Sequence, residues 1–389
     1  IQHVLSLLAF FLLLSLGSFF VLMGIGQLAN PFPGMPDITS TILYAAGLVF
    51  ASLHMLPSAA YAFLRLTGRK SPPHPFSARW LLVASGLFIF LFPLVVVAGN
   101  LAAAQERLAW VLLPPFHILA VTIPIFWLVA LGLKGLCPGS KQRAWGLFSV
   151  GLSLGPVLIL TMELALLTAL FVLVMFFIAG QPELANELEN LAQRLQYAPP
   201  DPEVILRILQ PFISNPVVIS SILLYIALFV PLIEEATKPI GVWFLAGRNL
   251  SPVEGFAAGL LSGAGYALFE NLFLATASEQ WTSLVLARLG TGAVHIFTTS
   301  LVGWGLASAW SQGRYLRLGL SFAGAVSIHG LWNGLTLLSF SVQILPDTAR
   351  KSFGQITQVL PLFLGLLAFL CVLMLWLFNH ALKRAIIVP

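Results

Sequence analysis

Glu234, Glu235 and Lys238 stand inside a long apolar stretch, in the run Pro231-Leu-Ile-Glu-Glu-Ala-Thr-Lys-Pro239. Three further stretches add Glu270-Asn271, His295, and His329 with Asn333. Carboxylate and imidazole side chains around buried water suit general-base hydrolysis. The same residue types suit a catalytic zinc that keeps an open position. Glu234 and Lys238 are four apart and share a helix face. Glu235 points about 100° away from Glu234, free to face another helix. His329 and Asn333 are also four apart and address one cavity. Pro231 and Pro239 each remove a backbone donor, so the segment between them is expected to be kinked or locally unwound.

Cost argues that these groups meet. A charged side chain at mid-bilayer costs roughly 2.5–3.5 kcal/mol, so Glu234, Glu235, Lys238 and Glu270 in isolation would cost on the order of 12 kcal/mol. That rivals the whole stability of a domain, about 5–15 kcal/mol. Three carboxylates and one lysine leave a formal −2. A divalent cation, two imidazolium groups or two protonated carboxylates would cancel it. A single buried histidine is most simply a helix–helix hydrogen bond. The full set on four consecutive stretches asks for more. Glu163, the one mid-span carboxylate of the first five apolar stretches, reads as structural, and Glu254 and Glu279 read as solvated span ends.

The elements that must carry these residues are membrane helices. Apolar types make up 59% of the 389 residues and charged types 8%, and mean hydropathy is +0.96. A soluble domain is about 25% charged, so lipid is the main solvent. No basic patch interleaved with aromatics appears, which excludes nucleic acid as a partner. Cys137 and Cys371 suggest neither a disulfide framework nor a metal site.

A helix needs roughly 20 apolar residues to cross a bilayer. Ten stretches qualify: about 4–28, 39–65, 79–103, 109–133, 145–178, 217–246, 253–276, 284–310, 316–340 and 357–380. The first is too long for a signal-peptide core and reads as a span. Runs such as Pro31-Phe-Pro-Gly and Pro72-Pro73 separate several of them. Strict alternation puts 12 Lys and Arg on one side and 6 on the other, with Lys238 inside a span. By the positive-inside rule both termini are cytoplasmic. The expected fold is an all-α polytopic membrane protein with about ten transmembrane helices. Its regions are a five-helix part (1–179), an extracytoplasmic amphipathic loop (180–216), a membrane core (217–345), and a final helix and tail (346–389).

In the loop, Leu184, Leu188, Leu191 and Leu195 form one helical stripe. Val204, Ile205, Ile208, Leu209 and Phe212 form another. Two short helices on the membrane surface are expected there, or a gate above the site. Gly255, Gly259 and Gly263 repeat at the spacing that lets membrane helices approach closely.

The order Glu-Glu-x-x-Lys, Glu-Asn, His, His-x-x-x-Asn on successive spans resembles the PrsW family of intramembrane proteases. That family is similar to the wider group of CAAX prenyl endopeptidases and bacteriocin-processing membrane proteins. The resemblance covers about residues 215–340. It implies hydrolysis of a peptide bond in a membrane-anchored protein, an anti-sigma factor by inheritance, at a prokaryotic plasma membrane. Carried over, Glu234 and Glu235 activate or ligate, His295 and His329 are metal ligands or acid–base partners, and Asn333 donates to the oxyanion. Lys238, Glu270 and Asn271 complete the implied site. A zinc ion, where one is bound, would draw on Glu235, Glu270, His295 and His329, and a metal-free, glutamate-activated water stays open. The sequence departs from the CAAX pattern, which has Arg one position beyond Lys238 and His where Glu270 stands. An ion-coupled transporter is the competing class, although no inverted repeat is found. A non-catalytic scaffold or immunity protein is the third.

Overall fold

The computed structural model describes residues 1–29, 37–69, 79–105, 107–273, 281–344 and 347–387. The two proline-rich runs named above, Lys70 and Glu279 lie outside the described residues. Among the described residues the chain is helical and has no strand.

Fifteen α-helices follow in order: α1 Gln2–Ala29, α2 Ile38–Leu53, α3 Met55–Leu66, α4 Arg79–Ala103, α5 Ala109–Gly132, α6 Lys141–Ala179, α7 Pro182–Gln196, α8 Pro202–Ile213, α9 Pro216–Leu224, α10 Val230–Thr237, α11 Ile240–Trp243, α12 Pro252–Phe273, α13 Trp281–Gln312, α14 Tyr315–Ile344 and α15 Asp347–Ile387. A π-helical turn, Tyr225–Phe229, joins α9 to α10. Local signals set several starts. Asp37 caps α2, Ser140 caps α6 and Asn215 caps α9. Ser251 and Glu254 cap each other's amides at the start of α12, a capping box. The two stripes of the 180–216 segment form α7 and α8, and α7 has no buried residue.

Eight helical runs are long and apolar enough to cross a membrane among the described residues. Ten stretches qualify on sequence alone, and the difference falls on α12 and α14. Both are long enough: the 22 residues of α12 rise about 33 Å. Helix α12 is less apolar because it faces protein, whereas α14 is only partly buried and carries polar residues such as Asn333. Every residue from Gly255 to Leu268 is buried.

Glycine makes this possible. A Cβ on Gly259 would fall against the Thr299 carbonyl, and one on Gly255 against Ala307 and Gly303. These contacts seat α12 antiparallel on α13. On its other side, a Cβ on Gly265 would meet the Phe148 carbonyl, and one on Gly151 of α6 the Ser262 carbonyl. Thus α12 lies backbone to backbone between α6 and α13. Helix α14 runs antiparallel to α13, with Gly290 against Trp332 and Gly305 against Ser321.

The ends of the bundle are sorted by charge. Gln2 reaches Ser58 and Gln142, Arg65 reaches Gln142, Arg143 pairs with Glu254, and Lys383 lies over Gly135. These groups share one end, while Thr282 bonds Asn100 at the other.

Candidate active site

Between Pro231 and Pro239 the chain is regular helix, α10, so the unwinding expected there is corrected: the irregular turns lie just before Pro231 and at Lys238–Pro239. Pro231 cannot donate to the Ala227 carbonyl four residues back, and the chain there widens into the π-helical turn. The freed carbonyls face α14. Ala227 lies where a Cβ on Gly330 would collide with its oxygen. Asn333 Nδ2 donates to the Ile226 carbonyl at 3.2 Å. At the second turn, Ser262 Oγ donates to the Lys238 carbonyl at 2.6 Å and accepts from the Gly241 amide at 3.4 Å.

Lys238 is the hub. Its side chain is completely buried, and Nζ lies 2.7 Å from Glu234 Oε2 and 2.9 Å from Glu235 Oε1. It also lies 2.7 Å from His295 Nδ1, 3.4 Å from His329 Nδ1 and 4.9 Å from the centre of the Tyr266 ring. The expectation that Glu235 stands apart from the lysine is therefore corrected. The 3-residue step from Glu235 to Lys238 is as reachable as the 4-residue step from Glu234, so one ammonium holds both.

Glu234 from α10, His295 from α13 and His329 from α14 bring one donor atom each to within 4.8 Å of one another. Glu235 and Glu270 stand one layer behind. Glu270 Oε2 lies 2.5 Å from His295 Nε2, which leaves Nδ1 facing inward. Glu235 Oε1 lies 2.9 Å from His329 Nδ1, while His329 Nε2 faces Glu234 Oε2 at 3.8 Å. Each imidazole thus has a carboxylate behind it, the arrangement that fixes a histidine's tautomer and ring orientation at metal sites. The two imidazole rings meet edge to face, 4.9 Å between centroids.

By donor chemistry these residues fit a divalent metal. Two imidazoles and one carboxylate form a familiar catalytic zinc set. A buried oxygen, Glu235 Oε2, makes no hydrogen bond. Lys238 Nζ touches Glu234 Oε2 and His295 Nδ1, so lysine and metal draw on the same donors.

Arg288 was not among the residues singled out from the sequence. Its NH1 lies 2.9 Å from Glu270 Oε1. The sequence held the signal, because Arg288 precedes His295 by seven residues, two helical turns on one face. Three carboxylates against Lys238 and Arg288 leave a formal −1 with neutral histidines, not the −2 counted from sequence. Tyr266 and Ser262 were missed too, each being an ordinary residue in an apolar helix.

Two of the expected site residues do not touch the cluster in this structure. Asn271 Nδ2 donates to the Arg288 carbonyl at 3.3 Å and so ties α12 to α13. Asn333 is committed by one N–H to Ile226, but its amide carries a second. Glu163 lies on α6, where its carbonyl accepts from Tyr225 Oη at 3.2 Å.

The sequence signature of the PrsW family intramembrane metalloproteases matches residues 156–366. The match is wider than the motif block of 215–340. It takes in the outer half of α6 and the α7–α8 segment, which the motifs alone had left outside. Neither a curated protein nor a solved structure matches the chain.

Proposed function

The chain belongs to the PrsW family of intramembrane metalloproteases, and we propose that it hydrolyses a peptide bond of a membrane-anchored protein at the α10–α12–α13–α14 junction. The observation that carries this reading is the convergence of Glu234, His295 and His329 in the buried core.

In this reading Glu234, His295 and His329 hold a divalent metal, zinc by donor type. When bound, the metal supplies a Lewis acid that polarises the scissile carbonyl or a water molecule. Glu270 and Glu235 fix the two imidazoles. Glu235 Oε2, which has no hydrogen-bond partner, accepts the proton of the attacking water and returns it to the leaving amine. Lys238 bridges both carboxylates and holds them in place. Arg288 neutralises Glu270, so that His295 is held by a carboxylate without adding net charge. Asn271 braces α12 on α13. The second N–H of Asn333 donates to the oxyanion.

The proposed topology has ten spans with both termini cytoplasmic, in a prokaryotic plasma membrane. Its support is the alternation of direction among α10, α12, α13 and α14 and the gathering of basic residues at one end. Helices α7 and α8 then lie on the extracytoplasmic side, where they would receive the substrate's ectodomain. An anti-sigma-factor-like substrate fits that placement.

Metal content and cleavage of a single-span substrate, measured together on the purified protein, test the site. One metal per chain is expected, lost in His295→Ala. Glu235→Gln is expected to retain the metal and lose cleavage. Folded Glu235→Gln protein that cuts as fast as wild type would sink the proposed role of Glu235. Wild-type protein that is active without metal would sink the metal reading.

A further inference from the structure

Away from the catalytic cluster, two arginines face a groove and, among the described residues, have no acid to pair with. Helix α13 ends at Gln312, and Gly313, at φ +66°, turns the chain into α14. Arg314 and Arg317 follow within one helical turn. The Arg317 guanidinium lies 4.5 Å from the centre of the Trp304 ring, and its NH1 donates to Ser308 Oγ at 3.3 Å. Among the described residues neither arginine has a carboxylate in ion-pair range. Arg143 and Arg288, by contrast, are each paired.

The two arginines border a groove of about 600 Å³ between α13 and α14. Apart from Gly313 and Ser321, the rest of its wall is apolar or aromatic: Leu301, Trp304, Tyr315, Leu316 and Leu320. Tyr315, Leu316 and Leu320 are 69%, 77% and 67% exposed, so the groove opens outward. Trp and Tyr beside Arg at the end of membrane helices mark the level of the lipid headgroups. Two adjacent guanidiniums repel each other, and one shared anion removes that repulsion while accepting paired N–H donors from both.

We propose that this groove binds one anionic phospholipid, with its phosphate between Arg314 and Arg317 and an acyl chain along Leu301, Leu316 and Leu320. Charge selects an anion, and the apolar wall selects a lipid over a bare one. An inorganic phosphate would use the arginines and leave the leucine surface uncovered. This site is independent of the catalytic reading: along α14, Arg317 is 12 residues, about 18 Å, from His329.

Native mass spectrometry and thermal unfolding of the full chain test the proposal. The lipids are phosphatidylglycerol and phosphatidylcholine, and inorganic phosphate forms a separate arm. Wild-type protein is expected to retain one phosphatidylglycerol that phosphatidylcholine does not displace, and to melt higher with it. Arg314→Gln/Arg317→Gln is expected to weaken that retention by about 10-fold or more, since each basic residue near an anionic lipid contributes about 1 kcal/mol. Arg248→Gln, which removes an exposed charge outside the groove, is expected to behave as wild type. Should the double variant fold poorly, Arg314→Gln alone, at an exposed position, is expected to show a smaller loss in the same direction. Equal retention of the two lipids would overturn the proposal. So would unchanged retention in the arginine variants, or equal protection by inorganic phosphate alone.

Discussion

Two helices of this bundle sit in the same membrane under opposite conditions. Of the most apolar 18 residues of α6, 6% are buried, whereas for α13 the figure is 78%. Beyond Ile159, no residue of α6 is fully buried. Helix α12 is enclosed from Gly255 to Leu268 and still falls short of the apolarity that marks a spanning helix. In water, burial and apolarity go together. In lipid they separate, because the solvent is as apolar as leucine and helices associate through close packing and polar contacts instead. The ionisable groups Glu235, Lys238, His295 and His329 are accordingly enclosed where helices pack against one another.

Changes in each region sharpen that contrast. The largest effect is expected on activity: Glu235→Gln should lower the cleavage rate by at least about 100-fold with helicity retained, measured by substrate cleavage and circular dichroism. An equivalent change on the lipid-facing side of α6, Leu173→Ala, should leave the rate unchanged. Next comes the hub. Lys238→Met leaves two buried carboxylates without their cation and should cost about 3–5 kcal/mol, read as a fall in unfolding midpoint. Gly259→Leu should cost about 1–3 kcal/mol or more by driving α12 off the α13 backbone. Gly365→Leu, where a Cβ meets nothing within 4 Å, should be neutral in the same assay. If both glycine variants melt alike, backbone contact is not what holds α12. The smallest effect belongs to the half-exposed Arg143–Glu254 pair. Glu254→Gln should cost less than about 1 kcal/mol, because glutamine keeps the capping box and only the ion pair is lost.

Much of this was legible in the residues. Glu234, Glu235, Lys238, His295 and His329 do meet, and the cost of isolated charge in lipid is what required it. The irregular turns at Pro231 and Pro239 followed from two missing amide donors. The glycines of α12 marked its close approach to a neighbour. Other features were not legible. Nothing in the periodicity of α6 says that Gly151 meets Ser262, and Asn333 gave no sign that it would cap the Ile226 carbonyl.

The sequence alone determined the class of the molecule, the helices that carry ionisable groups and the face of each helix on which they lie. Those follow from composition and from 3.6-residue geometry, which act within one segment. Only the tertiary structure decided which carboxylate backs which imidazole, that Lys238 holds both glutamates, and that Arg288 joins Glu270 to lower the charge deficit. Those pairings depend on how far each helix slides and how closely it crosses its neighbours. Here that distance is set by glycine contacts between backbones that lie far apart in the chain.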